Sequence, residues 1–564
     1  MKKPIIFSVN NVYTRAVGGD SHSKAYIEKA VTYQVTFWGR TRAKSHASGG
    51  ISYVPEKKTR DIKFGDATWF LTGWVWLLKR ALEAQGYPVY FADQRQKPEK
   101  EFDWSIPGKK KGMEPYPFQE KAISKAETFA RGVLEIPTGG GKTLIAMWIV
   151  QKLGVKTLYI VPNKLLLDQV HSDFSDEFGK DSVGIVGDGK FEHRDITIST
   201  VQTLWSRRDT KEVEFLLQST DCMIIDECHV VGSVRDYGTQ FYKTVRKSKG
   251  KQYERLGNIW YEIARKCSAY YRFGLSATPG ERKEIDGGVL RGVTGDMLMQ
   301  VSASDLIRDG YLTRPEIFMY YSATQYTEGS AQNLLDYKEV YENSIINNED
   351  RNRDIAALCA AYARAGKTVL VTVSRIEHGK NIAERIAQQD GIKGDDYAMI
   401  FGSTKKADRA EIVERFKNKE TKILIGTIFK MGFNVKNLDV ILLADAGRKQ
   451  QNTEQRVGRV LRLFEGKRAI VVDFLDDDES FSLMHSLWRL RYYLSEPAFV
   501  VNPIGFRIES AMKRRPFIFD EDGLTKKGES SVCVLDVEAA KALQDDVKKP
   551  FIVKARIIEE REVA

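Results

Sequence analysis

The strongest constraint on the fold is a glycine-rich segment, residues 138–143, which has the sequence TGGGKT. The apolar run GVLEI at 132–136 precedes it and is typical of a strand, whereas LIAMWI at 144–149 follows it and is typical of a helix. Glycines between a strand and a helix allow backbone N–H groups to surround a phosphate at the helix N-terminus. The pattern predicts that Lys142 reaches the terminal phosphates and that the Thr143 hydroxyl binds Mg²⁺.

A second segment, DECH at 226–229, follows another apolar run, CMII at 222–225, which also predicts a strand. Asp226 and Glu227 supply two carboxylates at this strand end, one for the metal and one for the attacking water. A glycine-rich loop alone is a weak indication of function. The two segments in this order predict hydrolysis of a nucleoside triphosphate.

The length of 564 residues predicts three or four domains, because single cores stop growing beyond about 250–300 residues. No apolar run approaches the ~20 residues that span a bilayer, so no membrane partner is expected. The five cysteines show no C-x-x-C pair and the seven histidines no H-E-x-x-H spacing. This usage favours a reduced, cytoplasmic protein over a disulfide framework or a zinc site.

The net charge of +11 is concentrated near the N-terminus. Residues 1–112 contain 20 Lys/Arg and 10 Asp/Glu, which gives +10 for this segment alone. Such asymmetry favours a polyanionic partner, most simply nucleic acid, although a solvated surface explains any single basic cluster. The aromatic run at 69–78 in the same segment is interpreted as core rather than as a platform on which bases stack.

Alternating polar and aromatic residues, as in YQVTFW at 33–38, predict a small strand-rich unit over 1–112. Over 113–310, apolar runs alternate with helical patterns, which predicts a parallel sheet with helices on both faces. We expect a polar connector over 311–350, a second unit of this α/β kind over 351–500, and a C-terminal extension without a motif over 501–564. Predicted strands include 157–161, 196–199, 272–275, 368–373, 422–425, 440–443 and 469–473.

The second unit lacks a phosphate loop but contains the segment QRVGRVLR at 455–462. Arg459 and Arg462 are three residues apart, so on a helix they would share a face and could both point at a γ-phosphate held by the first unit. An arginine supplied in this way stabilises the charge of the transition state. For this segment alone, an ordinary salt-bridged helix is a competing explanation.

Together these segments resemble the ordered motifs of superfamily 2 helicases and translocases over about residues 113–475. The likeness is greatest to the phage UvsW-type recombination helicases and to their cellular relatives in the XPB and RecG groups. It implies two tandem RecA-like domains, with parallel sheets flanked by helices, between a small strand-rich N-terminal domain and a short C-terminal extension. The matching segments are TGGGKT (motif I), VPNK at 161–164 (Ia), TVQT at 200–203 (Ib), DECH (II), SATP at 276–279 (III), SR at 374–375 (IV), GT at 426–427 through GFN at 432–434 (V) and QRVGRVLR (VI).

The resemblance also implies roles for individual residues, with ATP and Mg²⁺ as cofactors. Gln119 stands where the family reads adenine, Glu227 where it orients the water, and His229 where it couples motif II to motif III. Thr143 and Asp226 are the implied protein ligands of the metal. The implied nucleotide-binding and catalytic residues are Gln119, Thr138, Gly139, Gly140, Gly141, Lys142, Thr143, Asp226, Glu227, His229, Gly432, Gln455, Arg459 and Arg462. The implied nucleic-acid contacts are Pro162, Lys164, Gln169, Thr200, Gln202, Ser374, Arg375 and Thr427.

The 46 residues between His229 and Ser276 form a long insertion for this family. Residues 233–266 hold nine Lys/Arg with six interleaved aromatic residues, a composition suited to contacts with phosphates and bases. A helical hairpin with an aromatic core and solvated charges explains the same composition equally well.

The sequence therefore predicts an ATP-dependent DNA helicase or branch-migration motor that acts on forked, branched or single-stranded DNA in replication, recombination or repair. An RNA helicase and an ATP-gated nucleic-acid clamp without productive unwinding are the alternatives. The DECH form of motif II favours DNA without excluding RNA, and intact Lys142, Glu227, Arg459 and Arg462 argue against a clamp. A phage-encoded protein in a bacterial host fits the resemblance. The sequence leaves the oligomeric state open, and a monomer is assumed.

Overall fold

The computed structural model describes residues 2–44, 51–63, 65–104, 114–231, 259–277, 284–323, 337–427, 435, 437–447, 450–464, 466–477, 481–504, 517–520, 523–526 and 551–552. Every helix among these residues is too short or too polar to cross a membrane. The chain divides into two compact units, one of Met1–Ile136 with Gly141–Gln300 and one of Pro137–Gly140 with Val301–Ala564.

The N-terminal part of the first unit is rich in strands, as the alternating sequence predicts. Its four-stranded sheet has the order β5-β2-β1-β6, with β1 and β6 parallel and the other pairs antiparallel. Strands β3 and β4 form a separate two-stranded hairpin. The elements are β1 (Ile5–Val9), β2 (Tyr13–Gly18), α1 (Ser21–Ala30), β3 (Thr32–Lys44), β4 (Ile51–Lys63), β5 (Trp69–Leu71), α2 (Val75–Ala84) and β6 (Val89–Asp93).

The larger part of the first unit is an eight-stranded sheet of order β10-β9-β11-β8-β12-β13-β7-β14. All neighbours are parallel except β9 and β10. Strands β8, β11 and β12 are buried along their whole length, which is why they are nearly continuous apolar runs. The elements are α3 (Pro117–Phe129), β7 (Arg131–Glu135), α4 (Lys142–Leu153), β8 (Thr157–Val161), α5 (Lys164–Phe178), β9 (Val183–Gly187), β10 (Lys190–Phe191), β11 (Ile196–Thr200), α6 (Val201–Ser206), α7 (Lys211–Gln218), β12 (Cys222–Asp226), α8 (Ile259–Lys266), β13 (Tyr271–Ser276), α9 (Glu284–Thr294) and β14 (Met297–Gln300).

The N-terminal sheet and the eight-stranded sheet share one hydrophobic core. Trp74 and Leu78 are buried in it, as the interpretation of the aromatic run as core predicts, but Trp69 and Trp76 are 39% and 49% exposed. That interpretation is therefore wrong for the last two residues. The buried Arg131 at the start of β7 also joins the two parts, because its guanidinium donates to the Asn11 carbonyl at 3.0 Å.

The second unit is built on a seven-stranded, wholly parallel sheet of order β17-β18-β16-β19-β20-β15-β21. A short antiparallel sheet of order β23-β22-β24 follows in the chain. The elements are α10 (Ala303–Arg308), β15 (Pro315–Ala323), α11 (Tyr337–Tyr341), α12 (Glu349–Arg364), β16 (Val369–Thr372), α13 (Ile376–Ala387), β17 (Tyr397–Ile400), α14 (Lys406–Lys417), β18 (Ile423–Gly426), β19 (Val440–Leu443), α15 (Gln450–Val460), β20 (Ala469–Asp477), α16 (Phe481–Ser495), β21 (Val500–Ile504), β22 (Phe517–Asp520), β23 (Gly523–Lys526) and β24 (Phe551–Ile552).

The structure therefore has the predicted fold class, two α/β sheets of RecA-like kind, one mainly and one wholly parallel, preceded by a small strand-rich part. It differs from the predicted boundaries in three places. The predicted connector 311–350 contains β15, which pairs with β20 and β21 on its two sides. The second unit begins at Val301 rather than after 310, and its sheet continues through Ile504 rather than ending at 500. The two differences that concern strands, β15 and β21, share one cause: these strands are specified by distant pairing partners, which the local pattern does not show.

Gly73, in a short 3₁₀ turn before α2, offers a test of the shared core. A Cβ at this position would lie 1.9 Å from the carbonyl oxygen of Arg291 and 2.6 Å from that of Gly292, both on α9. We expect Gly73→Ala to lower the free energy of unfolding of the first unit by about 1–3 kcal/mol, because backbone oxygens on α9 must move. Denaturant titration measures this loss. Gly394→Ala is the control, since a Cβ there meets no atom within 4 Å, and equal losses would contradict the close approach.

Candidate nucleotide site and strand-contact residues

The glycine-rich loop leads from β7 into the N-terminus of α4. Gly139 and Gly141 have φ values of +94° and +83°, a region that side chains disfavour, so the glycines are required by the turn. Lys142 and Thr143 then form the first turn of α4, where unpaired backbone N–H groups and the helix dipole favour an anion. The loop has the local geometry of a phosphate site.

Gln119 lies beside this loop. Its side-chain oxygen accepts a hydrogen bond from the Tyr116 amide at 2.9 Å and so caps α3. A Cβ on Gly141 would come within 2.8 Å of Gln119 Nε2, which makes the two residues direct neighbours. The predicted adenine-reading residue thus borders the predicted phosphate loop.

Asp226 and Glu227 stand at the carboxyl end of β12, two strands from β7 in the sheet. Glu227 adopts a left-handed conformation with φ of +49°, and its amide donates to Asp226 Oδ1 at 2.9 Å. The pKa of Asp226 is raised to about 7, first by burial and then by the charge of Glu227, whereas the Lys142 ammonium acts in the opposite direction. A carboxylate that is costly to ionise in the free protein gains strongly from a bound cation.

The donor set fits Mg²⁺. This ion usually takes one or two protein ligands and completes its shell with phosphates and water. Within the described part of the chain, no group of three or more His, Cys, Asp or Glu side chains could form a metal cage of its own. Thr143, at the start of α4, and the buried Asp226 are ligands of the kind that Mg²⁺ shares with a nucleotide.

His229 connects Glu227 to the neighbouring strand β13. Its Nδ1 lies 3.2 Å from Glu227 Oε2 and 3.1 Å from the hydroxyl of Ser276, the last residue of β13. The turn that carries His229 packs closely on β13, since a Cβ on Gly274 would lie 2.9 Å from the sulfur of the buried Cys228. Motif II and the first residue of motif III are therefore in hydrogen-bond contact.

The predicted strand-contact residues of the first unit follow β8 and β11 at the same edge of the sheet. Gln202 donates to the Pro162 carbonyl at 2.9 Å, which joins motifs Ia and Ib. Thr200 is buried and caps α6, with its hydroxyl 2.9 Å from that of Thr203. The exposed Lys164 pairs with Asp188, and Gln169 lies partly buried on α5.

In the second unit, Ser374 follows β16 and forms a hydrogen-bonded cluster with Asp445 and Arg456. The sequence analysis did not single out these two partners. Arg456 donates to both oxygens of Asp445, at 2.6 and 2.5 Å, and the Ser374 hydroxyl donates to Asp445 at 2.9 Å. Burial acts to raise the pKa of Asp445, but the charge of Arg456 and these hydrogen bonds bring it below its ordinary value. The signal available in the sequence was an acidic residue just beyond β19 and an arginine inside motif VI.

The structure corrects the prediction that Arg459 and Arg462 share a helix face. Gln455 and Arg459 lie on α15 and are buried, but α15 ends at Val460. Arg462 pairs with Leu312 in an isolated β-bridge, and the Leu461 carbonyl accepts from Thr313 at 2.7 Å. Backbone bonding to residues 312–313 replaces the next helical turn.

The remaining predicted residues either lie apart from the contacts described above or fall outside the described residues. Thr138 is partly buried and Gly140 donates to the Pro137 carbonyl at 3.0 Å. Arg375 is exposed at the start of α13, and Thr427 is partly buried after β18. Gly432, Thr278, Pro279 and residues 232–258 of the basic insertion lie outside the described residues.

Comparison with known families agrees with this architecture. Residues 112–281 match the family described as "Type III restriction enzyme, res subunit", and residues 353–464 match "Helicase conserved C-terminal domain". The two matches together cover half of the chain and contain motifs I–III and IV–VI. This chain belongs to helicase superfamily 2. It is an ATP-dependent enzyme of that superfamily.

Three relatives show how similar this superfamily 2 helicase is to known proteins. It is 25% identical over 371 residues to a protein named as a helicase from Sulfolobus islandicus filamentous virus (isolate Iceland/Hveragerdi). The alignment covers 61% of this chain and 60% of that protein. It is 25% identical over 431 residues to "ATP-dependent DNA helicase uvsW" of Enterobacteria phage T4, covering 72% and 78%. It is 24% identical over 389 residues to "DNA 3'-5' translocase XPB2" of Sulfurisphaera tokodaii, covering 64% and 80%.

The buried Asp445–Arg456 pair of this helicase allows a stability test. We expect Asp445→Asn to lower the free energy of unfolding of the second unit by about 3–5 kcal/mol, because it leaves the buried Arg456 charge without a counter-charge. Denaturant titration measures the change. Glu316→Gln is the matched control, since it breaks a bidentate but exposed pair with Arg468 and should cost about 1 kcal/mol or less. Equal losses would contradict the role assigned to burial.

Proposed function

We propose that this superfamily 2 helicase is a DNA helicase or translocase that unwinds or branch-migrates forked and recombination intermediates. The observation that supports the proposal most strongly is the contact from Glu227 through His229 to Ser276. It links the residue that would orient the attacking water to the strand that carries motif III. Such a link is what a motor needs if hydrolysis is to be coupled to nucleic acid.

In this proposal, Lys142 and the N-terminus of α4 bind the β- and γ-phosphates of ATP. Thr143 and Asp226 are the residues that would hold Mg²⁺, and the bound ion would supply positive charge to the phosphates. Glu227 accepts a hydrogen bond from the attacking water and orients it in line with the γ-phosphate. Arg459 and Arg462 supply positive charge to the transition state, and Gln119 reads the adenine.

The nucleic-acid contacts are proposed for Pro162, Lys164, Gln169, Thr200 and Gln202 in the first unit. Because Thr200 is buried as a helix cap, we assign its contribution to the position of α6 rather than to a direct side-chain contact. Ser374, Arg375 and Thr427 are the corresponding proposals in the second unit. Two observations support DNA as the nucleic acid on which the protein acts: the basic N-terminal segment and the two relatives named as acting on DNA.

The deciding experiment compares ATP hydrolysis and strand separation on forked DNA, four-way junctions, linear duplex DNA, single-stranded DNA and a sequence-matched RNA duplex. We expect the largest stimulation of hydrolysis and the fastest strand separation with the branched DNA substrates. Stimulation by RNA alone would favour an RNA helicase. Strong hydrolysis without strand separation on any substrate would favour a nucleic-acid clamp.

Substitution of the two central residues tests the proposed chemistry. We expect Lys142→Ala and Glu227→Gln each to lower the rate of ATP hydrolysis by about 10³-fold or more, because phosphate positioning and water activation are both lost. DNA binding measured by fluorescence anisotropy should stay within a few-fold of wild type. A variant that retains hydrolysis would remove that residue from the proposed mechanism.

The contact with Ser276 predicts a different effect. We expect Ser276→Ala to reduce the ratio of DNA-stimulated to basal hydrolysis by about tenfold, because the hydroxyl that links His229 to β13 is removed. Steady-state hydrolysis over a DNA titration gives this ratio. Ser199→Ala, which removes a buried hydroxyl that donates to Val186 on a neighbouring strand, is the control and should leave the ratio unchanged. A parallel fall in both variants would attribute the effect to stability.

A further inference from the structure

The β3–β4 hairpin is a two-stranded ribbon that stands apart from the other sheets. Its register is continuous from Thr32 opposite Lys63 to Lys44 opposite Ile51, which makes it about 40 Å long at the usual rise per residue. Within the described residues, the two strands pair only with each other. At the start of β3, the Thr32 hydroxyl donates to the Glu28 carbonyl of α1 at 2.7 Å, and β3 also contacts α9. The ribbon is therefore joined to the first unit through α1 and α9.

The register divides the charged positions of the ribbon between its two faces. Residues directly opposite each other in an antiparallel pair share a face, and successive residues alternate between faces. One face, called here the basic face, carries the positions Arg40, Arg42, Lys44, Lys57 and Lys63 with the single acid Asp61. The opposite face carries Lys58, Arg60 and Glu56 among the apolar positions. The basic face thus has a net charge of +4, and the opposite face +1.

The spacing of the basic positions matches the spacing of phosphates along a DNA strand. Arg40, Arg42 and Lys44 alternate along one strand at intervals of about 7 Å, which is close to two phosphate steps along the axis of B-form DNA. Lys57 lies across the ribbon, opposite Trp38. A two-stranded ribbon also fits the major groove of B-form DNA, about 12 Å wide, whereas the major groove of A-form RNA is too deep and narrow.

We propose that the basic face of the β3–β4 ribbon binds the phosphate backbone of duplex DNA and holds the duplex against the first unit. This inference rests on the proposed function, because it names the part of the chain that grips the double-stranded region of a branched substrate. The contacts are to phosphates, so they position the duplex without reading its sequence.

A matched pair of double variants tests the inference in the full chain. Arg40→Gln with Arg42→Gln removes two charges from the basic face, and Lys58→Gln with Arg60→Gln removes two from the opposite face of the same ribbon. Affinity for a linear DNA duplex is measured by fluorescence anisotropy over a series of salt concentrations. We expect the first variant to bind about tenfold more weakly, with a salt dependence smaller by about two counterions, and the second to match wild type.

Two outcomes of the binding measurements would contradict the inference. Similar losses in both variants would overturn the inference, because net charge rather than one face would then explain binding. Wild-type affinity in the first variant would overturn it as well. A third variant, Arg40→Lys with Arg42→Lys, should keep wild-type affinity if the partners are phosphates, and a loss as large as that of the glutamine variant would contradict phosphate contacts. Circular dichroism melting checks that each variant is folded.

Hydrolysis by the wild type, measured with and without DNA beside these binding titrations, separates this inference from the proposed function. Wild-type hydrolysis that is not stimulated by any DNA would refute the proposed function, whatever the ribbon does. If wild type is stimulated and the basic-face variant binds duplex DNA normally, only the ribbon assignment fails. Weaker binding of single-stranded DNA or duplex RNA, with duplex DNA unaffected, would also overturn it in favour of another nucleic acid.

Discussion

Parallel pairing among β8, β12, β13 and β7 is the constraint on which the candidate site depends. These four strands are neighbours in this order, and their carboxyl ends lie at one edge of the sheet. The phosphate loop follows β7, the two carboxylates end β12, Ser276 ends β13 and motif Ia follows β8. Backbone hydrogen bonds therefore bring together residues that are more than 100 positions apart in the chain. Open α/β sheets generally bind ligands at this edge.

Buried charge is the second theme of the structure, and it has different consequences in the two units. Asp226 is buried with Glu227 beside it, which raises its pKa and leaves a site that a cation would stabilise. Asp445 is equally buried, but Arg456 and Ser374 already satisfy it, and its pKa is lowered. The first carboxylate is suited to binding a ligand. The second is suited to holding the motif VI helix next to the strand that ends at Leu443.

The sequence predicted the buried strands well, because a strand covered on both faces must be an apolar run of the right length. The predictions for 157–161 and 440–443 agree with the observed bounds of β8 and β19. The sequence did not predict β15, because residues 311–350 were expected to form a polar connector. This strand is specified by its pairing with β20 and β21. The same limit explains Arg462, whose helix stops where distant backbone partners become available. The roles of the individual site residues remain predictions that the biochemical tests must decide.

By itself, the sequence determined the fold class and which residue types stand at the strand ends, because apolar periodicity and short motifs are local properties of the chain. Only the tertiary structure decided which strand ends are neighbours, that His229 bridges Glu227 and Ser276, and that Arg456 is paired with Asp445. It also decided that the basic residues near the N-terminus are divided unequally between the faces of one ribbon. These properties depend on pairing register and on contacts between distant residues, which local periodicity does not encode.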